Sequence, residues 1–285
     1  MTGVLSMASS PLALSSVVKF FDRFPVSSSI PGAGVVCAVD SAYFPGLQLL
    51  VLSLRKAVDV AVFDLGLDPI QRAWLVEWGV TVLPVLEPAL IVPRGVSMWQ
   101  TWNKPLFLQW SPFRYSLWVD ADCLVFGDLK PWFERSRAGP VACYHPQDGL
   151  PYALNPDALY RLLPVPKIFA PDGVQAGLVA VGQDDETGLL EQWGFCVARV
   201  WSKDFPMTTA CWDQGALLWA FERLKLRRFL IRQPGWGRFV RLDPGRCERS
   251  LLVMLRSFEV RSDDVVLHFI GRQKYWAGWG CFLSW

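Results

Sequence analysis

The stretch that most constrains this chain is Tyr115-Ser116-Leu117-Trp118-Val119-Asp120-Ala121-Asp122-Cys123-Leu124-Val125-Phe126. An apolar run climbs to two aspartates and then turns apolar again. The run is too short for a core helix and fits a buried strand of an α/β sheet. The C-terminal end of such a strand lies at the crevice where open α/β sheets bind nucleotides. Two carboxylates there, separated only by Ala121, are costly to bury without a partner. A divalent cation with hard oxygen ligands is the simplest partner for both.

The flanking sequence supports a sheet of this kind. Strands are expected at Val35–Val39, Val60–Asp64, Thr81–Val85, Val141–Tyr144, Leu178–Val181 and Val265–Ile270. Helices are expected from Phe44 to about Val58, with Pro45 in the first turn, and from Asp68 to about Trp78, with Asp68 as cap and Pro69 at the first position. Further helices are expected at Trp99–Trp110, which Pro105 would kink or restart, and at Asp184–Trp201 and Cys211–Arg223. Strands alternating with helices through the first half indicate a mixed, mostly parallel α/β sheet flanked by helices. The proline-rich segment 145–172 reads as a long loop over the site, opened by His145, a surface histidine or an acceptor contact. Residues 1–31 read as an N-terminal extension and 277–285 as an aromatic tail, leaving 32–276 as one domain.

Composition limits the function classes. The chain has 285 residues, a net charge of +2 and 19% charged residues, so its charge balance points to no nucleic-acid partner. Its seven cysteines are scattered without zinc-like or redox-like spacing, which fits reduced, buried thiols in a cytoplasmic protein. No apolar run of about 18 residues escapes charge or proline, so a membrane span is not expected.

Four other stretches can be set beside Asp120 and Asp122. Strand 35–39, containing Cys37 and Val39, ends in a polar turn with Asp40 and Tyr43, which could hydrogen-bond a nucleoside and stack on its base. Lys104 stands sixteen positions before Asp120 and could offset phosphate charge or simply be a solvated helix lysine. Asp213 and Gln214 open an otherwise apolar helix, either as dipole-stabilised residues or as pocket groups. His268 ends an apolar strand and could complete a metal site. Gly271 and Lys274 follow it as an anion seat.

Taken together, these residues resemble glycosyltransferase family 8, whose members have the GT-A fold. The resemblance runs in order from about Val35 to Trp276. Val35–Tyr43 with Pro45-Gly46 is similar to the family's first strand and nucleoside-binding turn, and Lys104 keeps the family's spacing from the metal motif. Asp120-Ala121-Asp122 resembles its Asp-x-Asp, Asp213-Gln214 its Asp-Gln pair, and His268-Phe-Ile-Gly271-Arg-Gln-Lys274-Tyr-Trp276 its His-Phe-x-Gly-x-x-Lys-Pro-Trp ending. Gln175-Ala176-Gly177 sits where the family has Asn-Ser-Gly, losing a hydroxyl and lengthening the amide.

The resemblance implies a retaining hexosyltransferase that uses a nucleotide-sugar, usually a UDP-sugar, with Mn²⁺ or Mg²⁺. Asp120, Asp122 and His268 would hold the cation. Cys37, Val39, Asp40, Tyr43, Lys104, Ala121, Gln175, Gly271 and Lys274 would join them around the donor. Asp213, Gln214 and Lys274 would act at the reacting sugar and its leaving group. The acceptor would be a glycan, a lipid-linked glycan or a small molecule. The Arg-rich segment 223–249 and the tail could place the protein peripherally at a membrane. A non-catalytic nucleotide-sugar binder is the alternative. A nucleotidyltransferase fits less well, because Ala38-Val39-Asp40-Ser41 is not a glycine-rich basic loop.

Overall fold

The structure is a computed structural model, and it describes residues 12–24, 26, 30–96, 99–146, 172–201, 212–231, 237–241, 260–262 and 264–270. Its centre is a seven-stranded sheet built from β1 (Ala33–Val39), β2 (Asp59–Asp64), β3 (Thr81–Leu83), β4 (Tyr115–Val119), β6 (Val141–Pro146), β7 (Asp172–Gly182) and β8 (Leu230–Ile231). The spatial order is β3-β2-β1-β4-β7-β6-β8. The strands β3, β2, β1 and β4 are parallel, β7 runs antiparallel to both β4 and β6, and β8 is parallel to β6. A second sheet of three strands holds β5 (Cys123–Val125), β9 (Arg238–Arg241) and β10 (Val266–Ile270) in the order β5-β10-β9.

Side-chain alternation along the strands explains the layers. Val35, Cys37 and Val39 of β1, with Leu117 and Val119 of β4, face one core. That core is closed by α2 (Phe44–Leu54), α3 (Pro69–Glu77) and α6 (Lys130–Ser136). Val36 and Trp118 point the other way. They pack under α4 (Trp99–Trp102), α5 (Lys104–Gln109), α7 (Leu189–Trp201) and α8 (Trp212–Arg223).

Several local rules hold as read from the sequence. Asp68 caps α3 through a capping box with Gln71, and Pro69 sits at its first turn. Helix α2 opens with Pro45 but ends at Leu54, before Val58, because Arg55 and Lys56 adopt left-handed backbone with φ of 51° and 56°. The helix expected over Trp99–Trp110 is two helices that break at Asn103. The buried Asn103 amide accepts from Ile91 N at 2.8 Å and donates to Val92 O and Trp99 O, each at 2.8 Å. Those bonds tie the break to the loop before it, and Pro105 restarts the helix.

Two stretches differ from their sequence reading. Helix α1 (Leu12–Phe21) lies within the segment read as an extension, yet it is docked. Val17, Phe20 and Phe21 join Leu49 and Leu52 of α2, Leu124, Leu267 and Phe269 of the small sheet, and Phe126 just after β5, in a third core. Apolar residues on both sides let α2 pack between two cores. His145 does not open a loop: it lies in β6 and pairs with Gly173 of β7, because this antiparallel pair continues past an irregularity at Ala142/Cys143. The remainder of the expected loop, 147–171, lies outside the described residues, as do Cys211, Gly271, Lys274, the tail and residues 232–236 and 242–249 of the Arg-rich segment. Among the described residues, no helix is long and apolar enough to cross a membrane.

Candidate functional site

β4 stops at Val119, and the chain turns at the two aspartates, with Cys123 N donating to Asp120 O at 2.9 Å. The apolar residues after the turn do not continue β4. They form β5 and pair with β10, so that Cys123 lies opposite His268. The turn therefore joins the two sheets, and β10 returns to it from nearly 150 residues later. Asp40 ends β1 at the same edge, since β1 and β4 are parallel neighbours aligned at Val36 and Trp118.

The two aspartates have different partners. Asp122 is buried, and its Oδ1 lies 3.1 Å from His268 Nε2. Asp120 accepts from Trp118 Nε1 at 2.6 Å and is straddled by the Lys104 ammonium, at 2.9 Å from Oδ1 and 3.0 Å from Oδ2. Asp120 Oδ2 stands 3.8 Å from His268 Nε2. Lys104 also touches Asp213 Oδ2 at 2.6 Å and Ala176 O at 3.2 Å. The Asp213 contact is a charge pair that lies off hydrogen-bond alignment. Only 4% of the Lys104 side chain is exposed, so it is not a solvated helix lysine. Burial alone would lower its pKa, but Asp120 and Asp213 outweigh burial and hold it above its usual value.

Asp213 lies in the first turn of α8 and is paired with Lys104. Its Oδ1 accepts from Gln214 N at 2.9 Å in the first turn of α8, and its Oδ2 points to Lys104. Asp40 makes a turn of its own, accepting from Ala42 N at 3.0 Å and Tyr43 N at 3.1 Å, while Gln100 Nε2 reaches its other oxygen at 3.3 Å. Tyr43 beside it is 37% exposed. The Cys37 and Val39 side chains lie in the core on the other face of the sheet.

Two contacts were not legible in the sequence. Gln175, fully buried on β7, donates through Nε2 to His268 Nδ1 at 2.8 Å. Cys123 also belongs to the cluster: ligand atoms of Asp122, Cys123 and His268 all lie within 4.8 Å of one another. The cross-strand position of Cys123 could have been found only by knowing that β5 pairs with β10. Gly177 is required by close approach. A Cβ there would come within 2.5 Å of His268 Cε1 and 2.9 Å of Asp120 Oδ2.

The donor set suits a divalent cation. In an octahedral site with bonds of about 2.1 Å, neighbouring ligand atoms stand about 3.0 Å apart, close to the 3.1 Å between Asp122 Oδ1 and His268 Nε2. Asp120, whose Oδ2 is 3.8 Å from the same nitrogen, lies outside the group whose ligand atoms stand within 4.8 Å of one another and would have to move to join it. Burial, reinforced by Asp122 and Asp120, raises the Cys123 thiol well above its ordinary pKa. The carboxylates and the imidazole, rather than the soft thiol, are the donors that suit a hard ion.

No protein-family profile and no curated protein matches the chain. Solved structures do. An active-site mutant of LgtC and the galactosyltransferase LgtC in complex with donor and acceptor sugar analogs each align with a TM-score of 0.54 at 16% identity, covering 85% of this chain and 89% of theirs. The apo-form glycosyltransferase GlyE of Streptococcus pneumoniae TIGR4 aligns with a TM-score of 0.50 at 16% identity, over 88% of this chain and 60% of its own. The architecture is thus the α/β GT-A fold of these glycosyltransferases.

Proposed function

We propose that the protein is a metal-dependent, retaining glycosyltransferase that moves a hexosyl group from a nucleotide-sugar, with a UDP-sugar as the first donor to test. The observation that carries this reading is the meeting of Asp122, His268 and Asp120 at the end of β4, with Lys104 buried between Asp120 and Asp213. The shared fold supports it, since one protein of that fold is a galactosyltransferase captured with donor and acceptor sugar analogs.

Asp120, Asp122 and His268 would hold Mn²⁺ or Mg²⁺. A cation held there would supply positive charge against the charge left on the leaving group. Asp40 and Tyr43 would seat the nucleoside, Asp40 with its carboxylate already fixed by the turn it makes. Gly271 and Lys274, beyond the described residues, would complete the phosphate side. Lys104 ties Asp213 to Asp120, and Asp213 and Gln214 would meet the sugar beside them. Both Asp213 oxygens are engaged, one by Gln214 N and the other by Lys104. That favours a sugar-binding role for Asp213 in a front-face reaction over attack as a carboxylate nucleophile.

Donor hydrolysis with Mn²⁺ across a panel of UDP-sugars, comparing the wild type with Asp122→Ala, tests the reading. Turnover in the wild type that collapses in the variant is expected. Equal turnover by both removes the metal motif from the mechanism. Calorimetric binding of UDP and Mn²⁺ without hydrolysis or transfer would leave a non-catalytic binder. A membrane contact of the tail and a cytoplasmic location are tested by liposome pelleting with and without residues 277–285, and by fractionation.

A further inference from the structure

Gln175 lies between the two sheets. It is 0% exposed, it comes from the large sheet, and its Nε2 reaches across to His268 on the small sheet. Because the amide nitrogen donates, His268 Nδ1 accepts, and the imidazole proton resides on Nε2. That places an N–H opposite Asp122 Oδ1 at 3.1 Å. The same arrangement leaves the Gln175 carbonyl oxygen, Oε1, buried without a hydrogen-bond partner among the described residues.

A cation held by His268 through Nε2 needs the opposite tautomer, with the proton on Nδ1. An Nδ1–H facing the Gln175 amide nitrogen would set donor against donor. Turning the amide by about half a rotation removes the conflict, because the two ends of an amide differ only in donor and acceptor character. Oε1 then accepts from Nδ1–H and gains the partner it lacks. The NH₂ group moves to the side where Oε1 had been, next to Gly237. A Cβ at Gly237 would stand 2.5 Å from Oε1 and 2.9 Å from Cys143 Sγ, so the absence of a side chain keeps that side clear.

We propose that Gln175 is a positioning residue that sets the tautomer of His268, and that its amide turns over when a divalent cation enters the site. This rests on the metal site of the reading above. In the free protein Gln175 holds the Nε2–H tautomer bonded to Asp122. With the cation present it holds Nδ1–H and leaves Nε2 for coordination. Gln175 thereby links cation occupancy to the contact between the two sheets, and it stands where a shorter asparagine would be expected by resemblance.

The experiment is ¹⁵N NMR of histidine-labelled full-length protein, before and after addition of Mg²⁺ with UDP. The chain has two histidines, and His145 is assigned by its loss in His145→Asn. The wild-type His268 should show a protonated Nε2 alone and a protonated Nδ1 with Mg²⁺. Gln175→Glu, whose carboxylate only accepts, should show the Nδ1–H pattern before any cation is added. Gln175→Leu should lose the switch, and its Mn²⁺ affinity, measured by spin-resonance titration, should fall about 10–100-fold, the usual cost of removing a partner behind a metal ligand. If Gln175→Leu does not fold, the wild-type and Gln175→Glu spectra decide. A protonated Nδ1 in the free wild type, or a tautomer unchanged by Mg²⁺ while His268 responds to it, overturns this inference alone, as does a Gln175→Leu affinity within twofold of wild type. A wild-type His268 that does not respond to Mg²⁺ at all overturns the metal site together with it.

Discussion

Replacing Lys104 with methionine keeps the length of the side chain and removes its charge. Lys104 sits within 3.0 Å of both Asp120 and Asp213, and the side chains of the three are 4%, 22% and 12% exposed. Without the ammonium, two largely buried carboxylates that shared one cation face each other uncompensated. Breaking a buried pair by removing one partner costs about 3–5 kcal/mol, and the partial exposure of Asp120 places the expected loss near the lower figure. The loss should depend on pH. Like-charge proximity raises the folded-state pKa of one carboxylate above its unfolded value of about 4. A group raised in this way gives stability at low pH that is lost as pH climbs through its folded value. Lys104 itself, also raised in the folded state, contributes fully in the wild type until pH approaches its unfolded value of about 10.4. The wild type should therefore show no Lys104-dependent change between pH 5 and pH 8, whereas Lys104→Met should lie closer to wild type at the acid end. Urea denaturation followed by circular dichroism at both pH values measures this. A loss below about 1 kcal/mol, or one equal at the two pH values, refutes the idea that Lys104 neutralises a buried pair of carboxylates. In the double variant Lys104→Met/Asp213→Asn, much of the loss should return, because coupled partners are not additive.

Three further outcomes are expected. Gly177→Ala should displace the His268 imidazole, whose Cε1 would be 2.5 Å from the new Cβ. It should weaken Mn²⁺ binding by calorimetry more than tenfold and destabilise by about 1–3 kcal/mol as overpacking does; unchanged binding would mean that the imidazole is not a ligand. Phe21→Ala, at a fully buried position between α2 and the small sheet, should cost about 3–5 kcal/mol in urea denaturation. A cost under 1 kcal/mol would restore residues 12–21 to the status of a loose extension. Asp264→Asn should break the two-point pair with Arg238, where the contacts are 2.8 Å and 2.5 Å and the carboxylate is buried. The expected loss is about 3–5 kcal/mol, with increased amide hydrogen exchange in β10, and an unaltered exchange pattern would show that this pair does not hold the strand carrying His268.

The alternation of strands and helices, the Asp68 cap and the Pro45 start were legible because each depends on neighbours a few residues away. The pair Asp120 and Asp122 was legible as a candidate site for the same reason. Two carboxylates in an apolar context demand a partner whatever the fold. Their division of labour was not legible. Asp122 faces His268 while Asp120 is held by Lys104 and Trp118, and that difference comes from the turn that sends Cys123 into a second sheet. The same turn brings Cys123 opposite His268 and lets Gln175 reach the imidazole from 93 residues away. The role of α1 was equally hidden, since a short apolar helix becomes structural only when another apolar surface receives it. The sequence alone determined most of the central strands and helices and which polar groups needed partners, because local geometry and the cost of burying charge act residue by residue. Tertiary structure alone decided which partners those groups have, because β10 and the turn after β4 meet only when two sheets close against each other.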